Sequence, residues 1–117
     1  MALAKRPRIR RSEDGALRIA VVADAEARVL RLAGALTLDT ASTLEAEVYA
    51  LFDAGVRTLV LDLDRLELID SMGEQYLLSA VRWSQNSGGL IRLVGAKGQV
   101  ERVLTLTGVK AQLPFAD

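Results

Sequence analysis

Apolar and polar positions alternate between two periods along this chain. Leu17–Ala23 and Arg28–Ala33 are β-branched, apolar runs, broken by Asp24-Ala25-Glu26-Ala27 and closed by Gly34. So short a break predicts an antiparallel hairpin. Residues 36–39 read as a linker, after which Ala41, Leu44, Val48, Leu51 and Phe52 recur at helical spacing, with Glu45, Glu47 and Asp53 off the stripe. That stripe is the core face of a first helix. Asp39 or Ser42 is placed to cap it, Ser42-Thr43-Leu44-Glu45 matches a capping box, and Gly55 sits where a glycine stops a helix.

Thr58–Leu63 is nearly continuous in apolar residues and reads as a central third strand. A second helix follows over Gln75–Gln85, with Tyr76, Leu77, Ala80, Val81 and Ser84 on one face, and Asn86-Ser87-Gly88-Gly89 ends it. Leu90–Val94 is a fourth strand, and Gly95–Gly98 is a loop without the Gly-Lys-Ser/Thr ending of a phosphate-binding loop. Val100, Val103, Leu104 and Thr107 make a last helix face, stopped at Gly108, and Val109–Phe115 predicts a short final strand limited by Pro114. Strands alternating with helices after a hairpin predict one compact α/β domain. Its mixed central sheet has four to five strands, with three main helices and right-handed crossovers.

The junction Leu66–Glu74 is where chemistry concentrates. It sets Asp70 and Ser71 where a strand gives way to a helix, whose unpaired N–H groups and partial positive charge favour an anion. Ser71-Met72-Gly73-Glu74 also fits a capping box, in which Ser71 caps and Glu74 reaches back. The two readings are compatible, since a cap hydroxyl lies where a phosphate is best stabilised.

Composition narrows the chemistry. The 117 residues are 50% hydrophobic and only 4% aromatic, so the core is aliphatic, and the length suits one domain. There is no cysteine and no histidine, which removes disulfides, thiol catalysis, the Ser-His-Asp arrangement and the commonest metal ligand. No enzyme and no cofactor are expected. Asp62 and Asp64 are weak candidates for a metal, having no third clear ligand. Net charge is zero but uneven: Lys5, Arg6, Arg8, Arg10 and Arg11 open the chain without an acid. Residues 1–14 therefore read as a basic, flexible arm, either a solubilising extension or a contact for nucleic acid, an anionic membrane or an acidic partner. No run has the roughly 18 apolar residues of a membrane span. The start lacks the apolar core of a secretory signal. A cytoplasmic protein is expected.

Leu59-Val60-Leu61-Asp62-Leu63, Leu68-Ile69-Asp70-Ser71-Met72-Gly73, Ser87–Val94 and Val100–Val109 together resemble the STAS domain of bacterial anti-sigma factor antagonists. The likeness covers about residues 17–115, within a STAS-like domain taken as 15–117. It implies that Ser71, directly after the aspartate, is the phosphorylation target. It implies a switch partner that is an anti-sigma factor and serine kinase, an ATPase of the histidine-kinase-like type, with a phosphatase to reset it. Asp70, Ser71, Met72, Gly73, Glu74, Thr37 and Asp39 then make the partner surface. Unmodified protein would bind the kinase and free the sigma factor, so chemistry is done to this chain rather than by it. Three departures fall on that surface. Gly34-Ala35-Leu36-Thr37 lacks both carboxylates of the family's Gly-Glu-Leu-Asp, Met72 replaces a second serine, and Glu74-Gln75 replaces Leu-Gly. A second reading keeps the resemblance without the switch: a STAS scaffold or accessory subunit, for example of a lipid-transport ABC complex.

Overall fold

A computed structural model describes residues 7–116. The elements run β1 (Arg8–Arg11), β2 (Leu17–Asp24), β3 (Ala27–Leu36), α1 (Ala41–Asp53), β4 (Thr58–Ile69), α2 (Ser71–Asn86), β5 (Leu90–Val94) and α3 (Gly98–Leu106), with a 3-10 turn at Lys110–Gln112. The strands form one mixed sheet in chain order. β1–β2 and β2–β3 pair antiparallel, while β3–β4 and β4–β5 pair parallel across the α1 and α2 crossovers. This is the single α/β domain with an opening hairpin and three helices that the periodicity predicts.

Alternation decides which face is buried. Leu17, Ile19, Leu30, Leu32, Leu59, Leu61, Ile91 and Leu93 are all fully buried on one side of the sheet. Leu44, Val48 and Phe52 of α1 and Leu77, Ala80 and Val81 of α2 join them in one apolar cluster. Removing one of these leucines to alanine leaves a cavity and costs about 2–5 kcal/mol. The opposite face keeps Arg18, Arg31 and Arg92 exposed.

Three expectations need correcting. First, Arg8–Arg11 are a paired edge strand rather than part of a flexible arm; residues 1–6 of that expected arm lie outside the described residues. All four side chains of β1 are exposed, so no hydrophobic period announces it. Tertiary contact holds it instead: Arg8 and Arg10 face the same side as Val21 and Ile19 and both bond Glu47 of α1, Arg10 Nε at 3.3 Å. Glu47 is only 4% exposed, so these cations compensate a buried carboxylate. The turn after β1 is tied by the Ser12 N–H to the Leu17 carbonyl (3.0 Å) and by Ala16 N–H and the Ser12 hydroxyl to Asp14. Those two donors, the Ala16 amide first, hold the Asp14 carboxyl below its ordinary value. Deleting residues 1–11 is therefore expected to cost about 2 kcal/mol, a fall of about 8 °C in melting temperature. A scanning calorimetry trace unchanged by the deletion would refute this.

Second, β4 continues to Ile69 instead of ending at Leu63. The alternation fails there because two register shifts against β3 each insert an extra residue into β4: Arg31 pairs Asp62 but Ala33 pairs Arg65, and Gly34 pairs Leu66 but Ala35 pairs Leu68. Buried Leu63, Leu66 and Ile69 consequently recur every third residue. Such bulges bend a strand and re-aim its end. Third, the final strand reduces to a single parallel bridge, Leu93 to Phe115.

Candidate functional site

The corner at the end of β4 is built by three elements. Leu36 and Ile69 are register partners at the ends of parallel strands β3 and β4, so the loops leaving both strands emerge side by side. Asp70 links them. Its Oδ1 accepts from the Gly73 N–H at 2.8 Å and its Oδ2 from the Leu38 N–H at 3.1 Å. Asp70 is thus the N-cap of α2, a correction to the reading that puts Ser71 in that role. Aspartate suits a cap because its carboxylate satisfies an orphan N–H and complements the helix dipole. Replacing Asp70 with alanine loses both bonds. The expected cost is about 2 kcal/mol, read as a lower urea midpoint, with asparagine recovering part of it.

Ser71 is the first residue of α2 and is exposed. Among the described residues the backbone N–H groups of Ser71 and Met72 have no intrachain acceptor, as befits a first helical turn. On one side of Ser71 stands the Asp70 carboxylate, on the other Met72, 46% exposed; Leu38, in the loop tied to Asp70, is 66% exposed. Thr37 is half-buried and Asp39 exposed in the adjoining loop. That loop is stitched by Thr40, whose hydroxyl donates to the Ala35 carbonyl (2.8 Å) and accepts from the Thr37 N–H (2.9 Å). Thr40 holds the N-cap position of α1, but its side chain makes no cap bond; neither Asp39 nor Ser42 takes that position.

The structure therefore brings Asp70, Ser71 and Met72 together with Thr37 and Asp39. Gly73 and Glu74 are buried beneath them. Glu74, 3% exposed, does not close a capping box; its Oε1 accepts from the Thr107 hydroxyl at 2.7 Å, pinning the end of α3 to the start of α2. Gly73 has no room for a side chain, since a Cβ there would lie 2.2 Å from the Leu36 carbonyl oxygen. Sequence reasoning missed Gln99. Its amide accepts from the Ile69 N–H (3.1 Å) and donates to the Ile69 carbonyl (3.2 Å), clamping the last residue of β4 just before the corner. No local signal distinguishes that glutamine from a surface one. Leu38 was legible only as an apolar residue in a linker.

Asp62 and Asp64 lie away from this corner and are taken up in ion pairs, with Arg31 at 3.8 Å and Lys97 at 2.6 Å. No helix among the described residues is long and apolar enough to cross a membrane.

Comparison with known proteins adds an independent line. The STAS domain family matches residues 18–117. BtrV of Bordetella bronchiseptica, whose name assigns it provisionally as an anti-sigma factor antagonist, is 34% identical over 86 residues, 74% of each chain. An anti-sigma factor antagonist from Mycobacterium paratuberculosis shares the fold with a TM-score of 0.74 at 23% identity, over 91% of this chain and 89% of that one. The Bacillus cell fate determinant SpoIIAA, solved in its phosphorylated form, aligns with a TM-score of 0.63 at 22% identity, over 85% of this chain and 91% of that one.

Proposed function

Because the chain belongs to the STAS domain family, we propose that it is an anti-sigma factor antagonist, a binding switch controlled by phosphorylation of Ser71. One observation carries this reading: Ser71 is an exposed hydroxyl on the first residue of α2, beside open backbone N–H groups and the exposed Met72, with exposed Leu38 in the loop that Asp70 ties to the helix start. In the unmodified state Leu38, Met72 and the serine form a contact surface of low charge. Phosphorylation adds about −1.5 to −2 charges and three acceptor oxygens. The helix N-terminus tolerates that charge within the chain. A partner packed on Leu38 and Met72 would have to bury it.

The partner in this scheme is an anti-sigma factor that is also a serine kinase of the histidine-kinase-like ATPase type, and a phosphatase returns the switch. The name of BtrV and the phosphorylated state of SpoIIAA support the class of function. The missing carboxylates at Ala35 and Thr37 and the methionine at Met72 point to a partner surface more apolar than the usual one. Phosphopeptide mapping of the protein from its native cells is the direct test. Ser71 is expected as the dominant modified residue. Consistent modification elsewhere, with Ser71 bare in every growth condition, would sink the switch.

A further inference from the structure

The open face of the sheet carries a second surface that the switch does not use. Strand register sets Arg11 opposite Arg18, Arg18 opposite Ala33, and Ala33 opposite Arg65, so one row crossing four strands reads Arg-Arg-Ala-Arg. The next row sets Ala20 opposite Arg31 and Arg31 opposite Asp62. All of these residues line one open trough of about 540 Å³. Asp62 neutralises Arg31, and Lys97 neutralises Asp64. Arg11, Arg18 and Arg65 are exposed, and among the described residues none of them makes an ion pair. Like charges directly opposite on neighbouring strands oppose sheet formation, yet the Arg11–Arg18 pair has no acid in its row. Ala20 and Ala33 leave a floor without bulk between the guanidinium groups.

We propose that this trough docks an acidic segment of a partner protein, lying across the strands with its carboxylates on Arg11, Arg18 and Arg65. Charge complementarity carries the choice of occupant. Three unpaired guanidinium groups spread over three strand spacings, roughly 14 Å, match carboxylates spaced along a peptide and can each take one bidentately. A trough open to solvent on a pleated face does not enclose a small ligand as a pocket must. The chain as a whole holds fifteen basic against fifteen acidic residues, so nothing beyond the trough draws a long polyanion such as nucleic acid. The surface lies back along β4 from Ser71, on Arg65, and is independent of the phosphorylation switch.

The test is fluorescence anisotropy with a labelled hexaglutamate peptide at about 50 mM salt, where surface charge is little screened. The full chain should bind it, with hexaglutamine as the silent control. R18Q/R65Q should weaken binding at least about tenfold, or 1.4 kcal/mol, with a melting temperature no lower than that of the wild type, since the Arg11–Arg18 repulsion is relieved. The charge-matched double variant R82Q/R102Q, on exposed positions of α2 and α3, should bind as the wild type does. Equal weakening by both pairs would reduce the effect to net charge and overturn the proposal. So would binding of inorganic triphosphate or anionic phosphatidylglycerol vesicles, dependent on Arg18 and Arg65, by a protein that ignores hexaglutamate.

Discussion

Gly73→Ala is expected to destabilise the protein by about 3 kcal/mol, although the same change in an exposed helix usually stabilises by about 1 kcal/mol. The sign reverses because of what lies under the glycine. An added Cβ would sit 2.2 Å from the Leu36 carbonyl oxygen and 2.9 Å from Ile69 Cγ1, and the first of these is backbone at the end of a central strand. It cannot swing aside as a flexible side chain would. Relief requires the first turn of α2 to lift from β3. That motion breaks the bonds from Asp70 to Gly73 and Leu38 and draws Glu74 away from Thr107. For a chain of this size the melting temperature should fall by about 12 °C. Hydrogen exchange should localise the loosening to the Leu38 and Gly73 amides before the rest of the sheet. A protected Leu38 amide with a wild-type melting curve would mean the helix does not pack as closely as described.

Ser71→Asp and Ser71→Ala should separate regulation from stability more sharply than a cap residue would allow. Capping is done by Asp70, so alanine at Ser71 deletes no side-chain bond and should change stability by less than about 0.5 kcal/mol. Aspartate in the first turn interacts favourably with the helix dipole, offset by the neighbouring Asp70 carboxylate. Both variants should therefore melt with the wild type. Against the identified partner they should diverge: Ser71→Ala binds as the unmodified protein does, while Ser71→Asp binds about tenfold more weakly, because a carboxylate must be desolvated beside Met72. Phosphorylated protein should lose more, having the larger charge. Titration calorimetry beside the melting curves checks each arm. Equal affinity of the two variants would show that the partner does not cover Ser71.

Much of this is legible in the sequence, and the reasons differ by element. The first helix declared itself through Leu44, Val48, Leu51 and Phe52, and the central strands through Leu59 and Leu61, because a period of 3.6 or 2 is written into neighbouring residues. Strand-to-helix chemistry marked Asp70 and Ser71 as a corner for the same local reason. β1 escaped because it buries none of its own side chains and is held by Glu47 from α1. The second half of β4 escaped because its bulges exist only relative to β3. Asp70 caps α2 through a local donor, the Gly73 N–H, but its second oxygen is held by the Leu38 N–H and Glu74 is turned inward by the Thr107 hydroxyl, donors from a loop and a helix end distant in the chain. Local pattern determined the fold class, the order of the helices and inner strands, and the address of the candidate serine. Register, bulges and the partners of buried charges were decided only when elements distant in the chain were laid side by side, since they depend on pairings that no single stretch contains.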